Sequence, residues 1–269
     1  ANDEPTTDEG KQEGGVNKKT KDARDFAASK ASAKGSDSAT PTTEGASAEG
    51  QGGSKVQVAG AAAITITSAT SRATIGDSLT ITAGTTTSDG IVTLKSENNA
   101  GSEAIADAST VLENGAGGSS TGVGVAVAVN VAQGVNEGTV GASTVDADGL
   151  AVQALLPASG DDQAHAFKAE AKSGASGADT GVAGALAINV SISRALATID
   201  EGAVVALTGS TADVDLKAEN FVTNDVKATA KQEGGGSLGV GASIALNIGE
   251  TDTDALVGDT ASIRGGHDL

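Results

Sequence analysis

One short apolar stretch recurs along the chain at nearly constant spacing. It reads Gly-Val-Gly-Val-Ala-Val-Ala-Val-Asn-Val at 122–131, with related copies at 181–190 and 239–248 and a looser copy at 56–66. Three copies carry an asparagine at the same place: Asn130, Asn189 and Asn247, which are 59 and then 58 residues apart. A fixed period of this kind is the signature of a repeat architecture, in which each unit packs against its neighbours.

The residues available for a core are small and aliphatic. The chain has 269 residues with 38 Gly, only three Phe, and no Tyr, Trp, Met or Cys. Val, Ile, Leu and Ala are therefore what can be buried, in thin layers. Stacked β-strands suit such layers, because β-branched side chains fit a pleated surface and small ones let sheets approach closely.

Two kinds of segment alternate with a period of two, which indicates strands. In 123–131 valine alternates with Gly, Ala and Asn. We expect the valine side to be buried and the small side to pack flat against another layer. In 166–174, Phe167 and the alanines oppose Lys168 and its charged neighbours. The side that carries Lys168 is predicted to face water, and His165 is predicted to face water with it. Because Ala, Lys and Glu are also good helix formers, a short helix is the alternative for this segment.

These strands predict an all-β fold, a parallel β-solenoid (β-helix) built from repeats of about 60 residues. Gly, Ser and Asp residues suited to tight bends fill the connectors at 35–54, 113–122, 173–181 and 233–239. Each unit holds four or five short strands. A solenoid coil takes roughly 20–30 residues, so we expect roughly two coils per repeat.

The repeat also divides the chain. Residues 1–15 are predicted to be a polar N-terminal segment, disordered in isolation, and 16–269 the solenoid. The solenoid divides into a partial repeat at 16–54, full repeats at 55–121, 122–180 and 181–238, and a partial repeat at 239–269. Because both ends fall inside a unit, we expect the chain to associate head-to-tail, or to adjoin neighbouring repeats of a longer chain.

The charge balance restricts the partners. The formal net charge is −18, from 17 basic and 35 acidic residues. Binding to nucleic acid needs clustered Lys and Arg, so we expect no nucleic-acid partner. The longest apolar run is about half the roughly 20 residues that a membrane-spanning helix needs, and we expect no membrane insertion. The absence of cysteine excludes disulfides and thiolate metal sites.

The unit resembles the repeats of giant bacterial secreted and cell-surface proteins, the large adhesin and leukotoxin-like repeat proteins. The resemblance is carried by the strand at 122–131, an Ala-Thr-Ile turn at 197–199 and a Leu-x-Val-x-Ala strand at 150–154. It implies an extracellular or cell-surface location and a structural or adhesive role, and it brings no catalytic residues.

Few residues point to chemistry at a defined site. The two histidines, His165 and His267, have no nucleophile motif beside them, and we expect the chain not to be an enzyme. Calcium is the one cofactor that the sequence suggests, because carboxylates are grouped in predicted turns. The alternative is that these Asp residues, with the Gly residues beside them, form turns and bind no metal. The candidate calcium ligands are Asp146, Asp148, Asp252, Asp254 and Asp259.

The function expected from these features is that of a structural segment of a bacterial surface or secreted β-solenoid, acting as a stalk, adhesin or filament subunit. Asn130, Asn189 and Asn247 would have a structural role; because two coils per repeat place them about 10 Å apart, we expect backbone partners in the neighbouring coil in preference to a direct amide ladder. The alternative is a ligand-binding or toxin-associated passenger that recognises a host cell or glycan through its least repetitive loops, 35–54 and 155–164.

Overall fold

The computed structural model describes residues 43–44, 55–84, 90–111, 120–159, 162–176, 178–208, 212–233 and 238–266. These residues form strands β1–β15 and include no helix, and so no membrane-spanning helix. The strands lie in four sheets. Sheet I contains β2 (Lys55–Ile75), β6 (Ser120–Val140), β10 (Thr180–Ile199) and β14 (Leu238–Val257). Sheet II contains β3 (Thr80–Thr82), β7 (Thr144–Ala147), β11 (Val204–Leu207) and β15 (Ser262–Arg264). Sheet III contains β4 (Ile91–Glu97), β8 (Gly149–Leu155) and β12 (Val214–Ala218). Sheet IV contains β1 (Thr43–Glu44), β5 (Gly101–Val111), β9 (His165–Ser176) and β13 (Val222–Glu233).

The chain visits the sheets in a fixed order. It passes from sheet I through II and III to IV, and then returns to sheet I one strand further along. Every pairing between neighbouring strands of these sheets is parallel. This arrangement is consistent with a parallel β-solenoid. The segments 166–174 and 226–233 are strands, so the alternative of a short helix there is wrong.

The expectation of two coils per repeat is wrong. Asn130 of β6 lies opposite Asn189 of β10, and Asn189 lies opposite Asn247 of β14, in adjacent strands of one sheet. One circuit of the four sheets therefore uses a whole unit of the sequence. The estimate from typical coil lengths failed because the strands of sheet I are 20 or 21 residues long. Residues 1–15 and nearly all of 16–54 lie outside the described residues.

The orientation of the repeated strand is the reverse of the one expected. Gly124, Ala126 and Ala128 point inward and are buried, whereas Val125 and Val131 point outward and are 50% and 36% exposed. The small side packs against sheet IV, as its composition suggested, and forms a core whose buried members are all alanine, with the partly buried Val226 packed against them. The buried members of this core are Ala59, Ala61, Ala63, Ala104, Ala106, Ala108, Ala126, Ala128, Ala169, Ala171, Ala185 and Ala187.

The reason for the reversal is the close approach of sheets I and IV. A methyl group built on Gly124 would lie 2.6 Å from the carbonyl oxygen of Ala108 in β5 and 2.8 Å from that of Gly174 in β9. Both distances are too short for real contacts, so this part of the interior has no room for valine. The β-branched residues consequently occupy the outward side.

The second half of each long strand packs differently. Val140 and Ile199, near the ends of β6 and β10, join Val145 and Val205 of sheet II and Val152 of sheet III in a core of larger side chains. Sheet I therefore contributes to two cores along its length, an alanine core against sheet IV and an aliphatic core against sheets II and III.

We predict that Gly124→Ala lowers the free energy of unfolding by about 1–3 kcal/mol, because the added methyl group meets backbone atoms that cannot move aside locally. Urea unfolding followed by far-ultraviolet circular dichroism measures it. Gly184→Ala is the matched control, since a methyl there meets nothing within 4 Å. We expect Gly184→Ala to be neutral or to stabilise by up to about 1 kcal/mol. Equal effects of the two substitutions would contradict the close approach of the sheets.

Candidate functional site

A belt of buried polar side chains separates the two cores. Its inward-facing members from sheet I include Asn130, Asn136, Asn189, Ser191 and Ser193. They lie opposite the corner at which the chain leaves sheet III and enters sheet IV. Buried polar groups must be hydrogen-bonded, so the belt has to provide its own partners.

The repeated asparagines form a ladder across the coils. The side-chain amide of Asn130 donates to the amide oxygen of Asn189 at 2.7 Å, and Asn189 donates to the amide oxygen of Asn247 at 2.8 Å. Amide side chains stack in this way when equivalent residues occupy adjacent parallel strands in register. The expectation of backbone partners for these amides is therefore wrong. It rested on a two-coil spacing, whereas the asparagines are one coil apart and contact each other directly.

Side chains of sheet IV complete the ladder from the other side. The hydroxyl of Ser102 in β5 donates to Asn130 at 2.8 Å. Asn189 also donates to the amide oxygen of Asn224 in β13 at 2.7 Å, and Ser191 donates to the same oxygen at 3.0 Å. The ladder therefore joins neighbouring coils to each other and sheet I to sheet IV.

Corner backbone groups are satisfied by the same belt. Asn136 donates to the carbonyl of Leu155 at 2.7 Å, and Asn98 donates to the carbonyl of Val135 at 3.1 Å. Leu155 is at the corner, and its carbonyl also accepts the backbone N–H of Asn98 at 3.3 Å. Val135 lies within β6, so the bond from Asn98 joins the corner to sheet I. The sequence displays the three asparagines as a repeat, but it does not reveal their partners Ser102 and Asn224.

His165 is buried, which corrects the expectation that it faces water. It lies two residues from Phe167 on the same side of β9, and only 3% of it is exposed. Its Nδ1 accepts a hydrogen bond from the backbone N–H of Ala100 at 3.0 Å. Burial lowers the pKa of His165 and outweighs the opposing charge of Asp162. His165 is therefore a neutral structural acceptor at the corner. His267 lies outside the described residues.

The first pair of acidic candidates serves the connection between coils. Asp146 lies within β7, where its carbonyl accepts the N–H of Ala83. The carboxylate of Asp148 accepts the N–H of Gly90 at 2.8 Å and the hydroxyl of Thr208 at 2.9 Å. Gly90 and Thr208 belong to the coils on either side, so this carboxylate binds both neighbours of its own coil.

The second group lies at the end of the described coils. Asp252 and Asp254 are exposed on the outward side of β14, and Asp259 is exposed in the turn that follows. The carbonyl of Asp252 accepts the side-chain amide of Asn220 at 3.1 Å. Among the described residues, no three or more His, Cys, Asp or Glu side chains are grouped closely enough to hold a metal ion.

Two grooves open on the surface of the described residues. One, of about 400 Å³, is lined by Ser102, Glu103, Phe167, Lys168 and Asp225. Lys168 is 2.7 Å from Glu103, and this hydrogen bond raises the pKa of the lysine. The other groove, of about 500 Å³, lies beside the loop 155–164 and is lined by Leu156, Gln163, Glu219, Asn220 and Phe221. The carboxylate of Glu219 is paired with Lys217 at 2.7 Å. In both grooves a charged side chain, Lys168 in one and Glu219 in the other, is thus already paired with a side chain of opposite charge.

Comparisons with protein-family models, with curated proteins and with solved structures find no match for this chain.

We predict that Asn189→Ala lowers the free energy of unfolding by about 2–4 kcal/mol, because it removes donors and an acceptor from a buried network and leaves their partners unpaired. Asn247→Ala removes the same side chain from the exposed strand β14, where water replaces the lost bond, and should cost less than about 1 kcal/mol. Urea unfolding of both variants as separate, unstacked chains makes the comparison, because stacking through β14 would bury Asn247. An Asn247→Ala effect as large as that of Asn189→Ala would contradict a ladder stabilised by burial.

We predict that His165 makes the fold less stable in mild acid. Because its pKa is lower in the folded chain than the ordinary 6.5, the unfolded chain binds the proton more tightly. The stabilisation is full above about pH 6.5 and is lost progressively as the pH falls toward the folded-state value. Urea midpoints at pH 7.5 and 5.5 measure the loss, and His165→Gln should reduce it. An unchanged loss in His165→Gln would assign the effect to other groups.

Proposed function

We propose that this chain is a structural segment of an extracellular or cell-surface β-solenoid protein, in which coils add end to end along the sheets. The observation that carries the proposal is the exposure of β14. All 20 of its residues are exposed, whereas the equivalent inward positions of β10 are buried. A further coil stacked on β14 would bury them in the same way.

The inward side chains of β14 repeat the pattern that earlier coils bury. Gly241, Ala245 and Asn247 lie opposite Ala183, Ala187 and Asn189. A coil placed beyond β14 would meet the same alanines and the same amide ladder that join the earlier coils. An exposed strand edge of this length is a template for pairing with another strand. The added coil comes either from a longer chain, which makes the segment a stalk, or from another copy, which makes it a filament subunit.

A mechanical role also agrees with how the polar groups are used. The asparagine ladder and Asp148 join one coil to the next, and the outward charges of sheet IV pair across strands, as Lys168 does with Glu103. The surface location rests on the resemblance to bacterial adhesin-type and leukotoxin-like repeats. Asp252, Asp254 and Asp259 do not form a metal site by themselves, so calcium is proposed to bind these exposed carboxylates only together with oxygens of an added coil, and so to help join coils.

We predict that the purified chain forms fibres visible by electron microscopy, with coils stacked through β14. Removing calcium with a chelator should shorten the fibres if the carboxylates near this end bind the ion. Ala245→Lys should abolish the fibres, because stacking would bury a lysine against the next coil. In the separate chain this lysine remains in water, since Ala245 is exposed.

Ala151→Lys is the control for this experiment. Ala151 points outward on β8, away from the stacking direction, so its variant should form fibres like the unmodified chain. Separate short rods for the unmodified chain, with or without calcium, would overturn the filament form of the proposal. Equal loss of fibres in the two variants would overturn the assignment of β14 as the joining edge.

A further inference from the structure

The outward side of sheet I is aliphatic over five consecutive rows of side chains. These rows are the outward residues of the segments 58–66, 123–131, 182–190 and 240–248, called here the aliphatic face. Sixteen of the twenty residues are Val, Ile or Leu, and the other four are Ala or Gly. The face thus contains no polar or charged side chain. It ends at the next row, in which Ser68, Gln133 and Glu250 are polar and Ile192 is aliphatic.

The described residues leave this face open. Ile66 is 75% exposed and Ile64 is 60% exposed, although both lie in the middle of a long strand. The outward side of sheet IV is the opposite case, because Lys168 and Glu170 of β9 pair with Glu103 of β5 and Lys227 of β13. The outward face of sheet IV is therefore charged, whereas the outward face of sheet I is aliphatic.

Parallel sheets with strands of this composition are normally covered on both sides. Strands buried on two faces read as nearly continuous apolar runs, as 122–132 does. Four strands at about 4.8 Å and five rows at about 6.6 Å give the aliphatic face an area of roughly 600 Å². That is at the upper end of the apolar patches that monomers expose, and close to the roughly 800 Å² per partner of a standard protein interface.

The chemistry of the chain selects the occupant. The segment 1–54 contains no Ile or Leu, one Val (Val16) and one Phe (Phe26), so it has too few large apolar side chains to match twenty positions of such a face. An anionic membrane surface would repel a chain with a net charge of −18. A second copy supplies a face of equal area, equal apolarity and no charge, and two flat sheets pack face to face at about 10 Å.

We propose that two copies of the chain associate laterally, with the aliphatic face of one sheet I packed against that of the other. The contact is self-complementary, so it closes as a dimer and does not propagate. It is separate from the end-to-end stacking through β14, because it uses the outward side chains of sheet I and not its strand edge. A filament of the proposed kind would consist of paired solenoids.

Sedimentation velocity over a range of concentrations tests the dimer. We expect a species of twice the 25.7 kDa chain mass. Because two acidic copies repel each other, association should strengthen when salt is raised, the reverse of an interface held by opposite charges. If the chain also forms fibres, the same measurement is made on Ala245→Lys, in which stacking is blocked.

The double variant Ile66→Glu with Val131→Glu should weaken the dimer by at least about 100-fold, because association would bury carboxylates in an apolar contact. Ile91→Glu is the matched control, since Ile91 is 66% exposed on β4 of sheet III, outside the aliphatic face. Its dimer should match that of the unmodified chain. Equal weakening in both, or a monomer at all concentrations for the unmodified chain, would overturn the proposal, as would a monomer that binds phosphatidylcholine vesicles.

A second measurement does not depend on the acidic variant folding. The chain has no cysteine, so a single introduced one reports its own surroundings. Val129→Cys lies within the aliphatic face, and a short bismaleimide should join two copies there. Ile91→Cys should remain uncoupled under the same conditions. Equal coupling at the two positions, or none at Val129→Cys, would overturn lateral packing through this face.

Discussion

The close approach of sheets I and IV is the constraint on which the rest of the structure depends. At Gly124 the backbones of β5 and β9 leave no room even for a methyl group, and the buried members of the surrounding core are all alanine. Alanine buries little surface, so each contact is weak and the packing relies on many short-range contacts along the sheets. The same constraint pushes the valines and isoleucines of the long strands to the outside.

The polar belt compensates for what the alanine core cannot provide. A thin, smooth alanine layer would let one coil slide along the next, since every row presents nearly the same surface. The ladder through Asn130, Asn189 and Asn247 removes this freedom, because the amides bond only when these residues are opposite one another. Buried polar residues are known to fix register in other repeating assemblies. Here the ladder also joins the sheets, through Ser102 and Asn224.

The periodicity of the sequence predicts the strands well and their orientation badly. Alternation in 123–131 and 166–174 identifies the strands and separates Phe167 from Lys168 correctly. It cannot say which side is inside when both sides are apolar, and hydrophobicity alone then selects valine wrongly. A different signal was available: Asn130 shares its side with Gly124 and Ala128, and a polar residue repeated in every unit is better placed in a hydrogen-bonded interior than on a dry surface. His165 could likewise be placed by its parity with Phe167.

The number of residues per coil could not be predicted from the alternation of side chains alone, because it depends on how far a strand continues before the chain turns. The strands of sheet I continue from the alanine core into the aliphatic core, although the polar belt between them contains residues typical of turns, such as Gly134 and Asn136 of β6. This continuity has a consequence for the surface. A long sheet packed inward through alanine leaves its large residues outside, as the exposure of Ile66 and Val125 shows. In this fold, the close approach of the sheets that makes the interior thin also leaves an aliphatic surface on the outside.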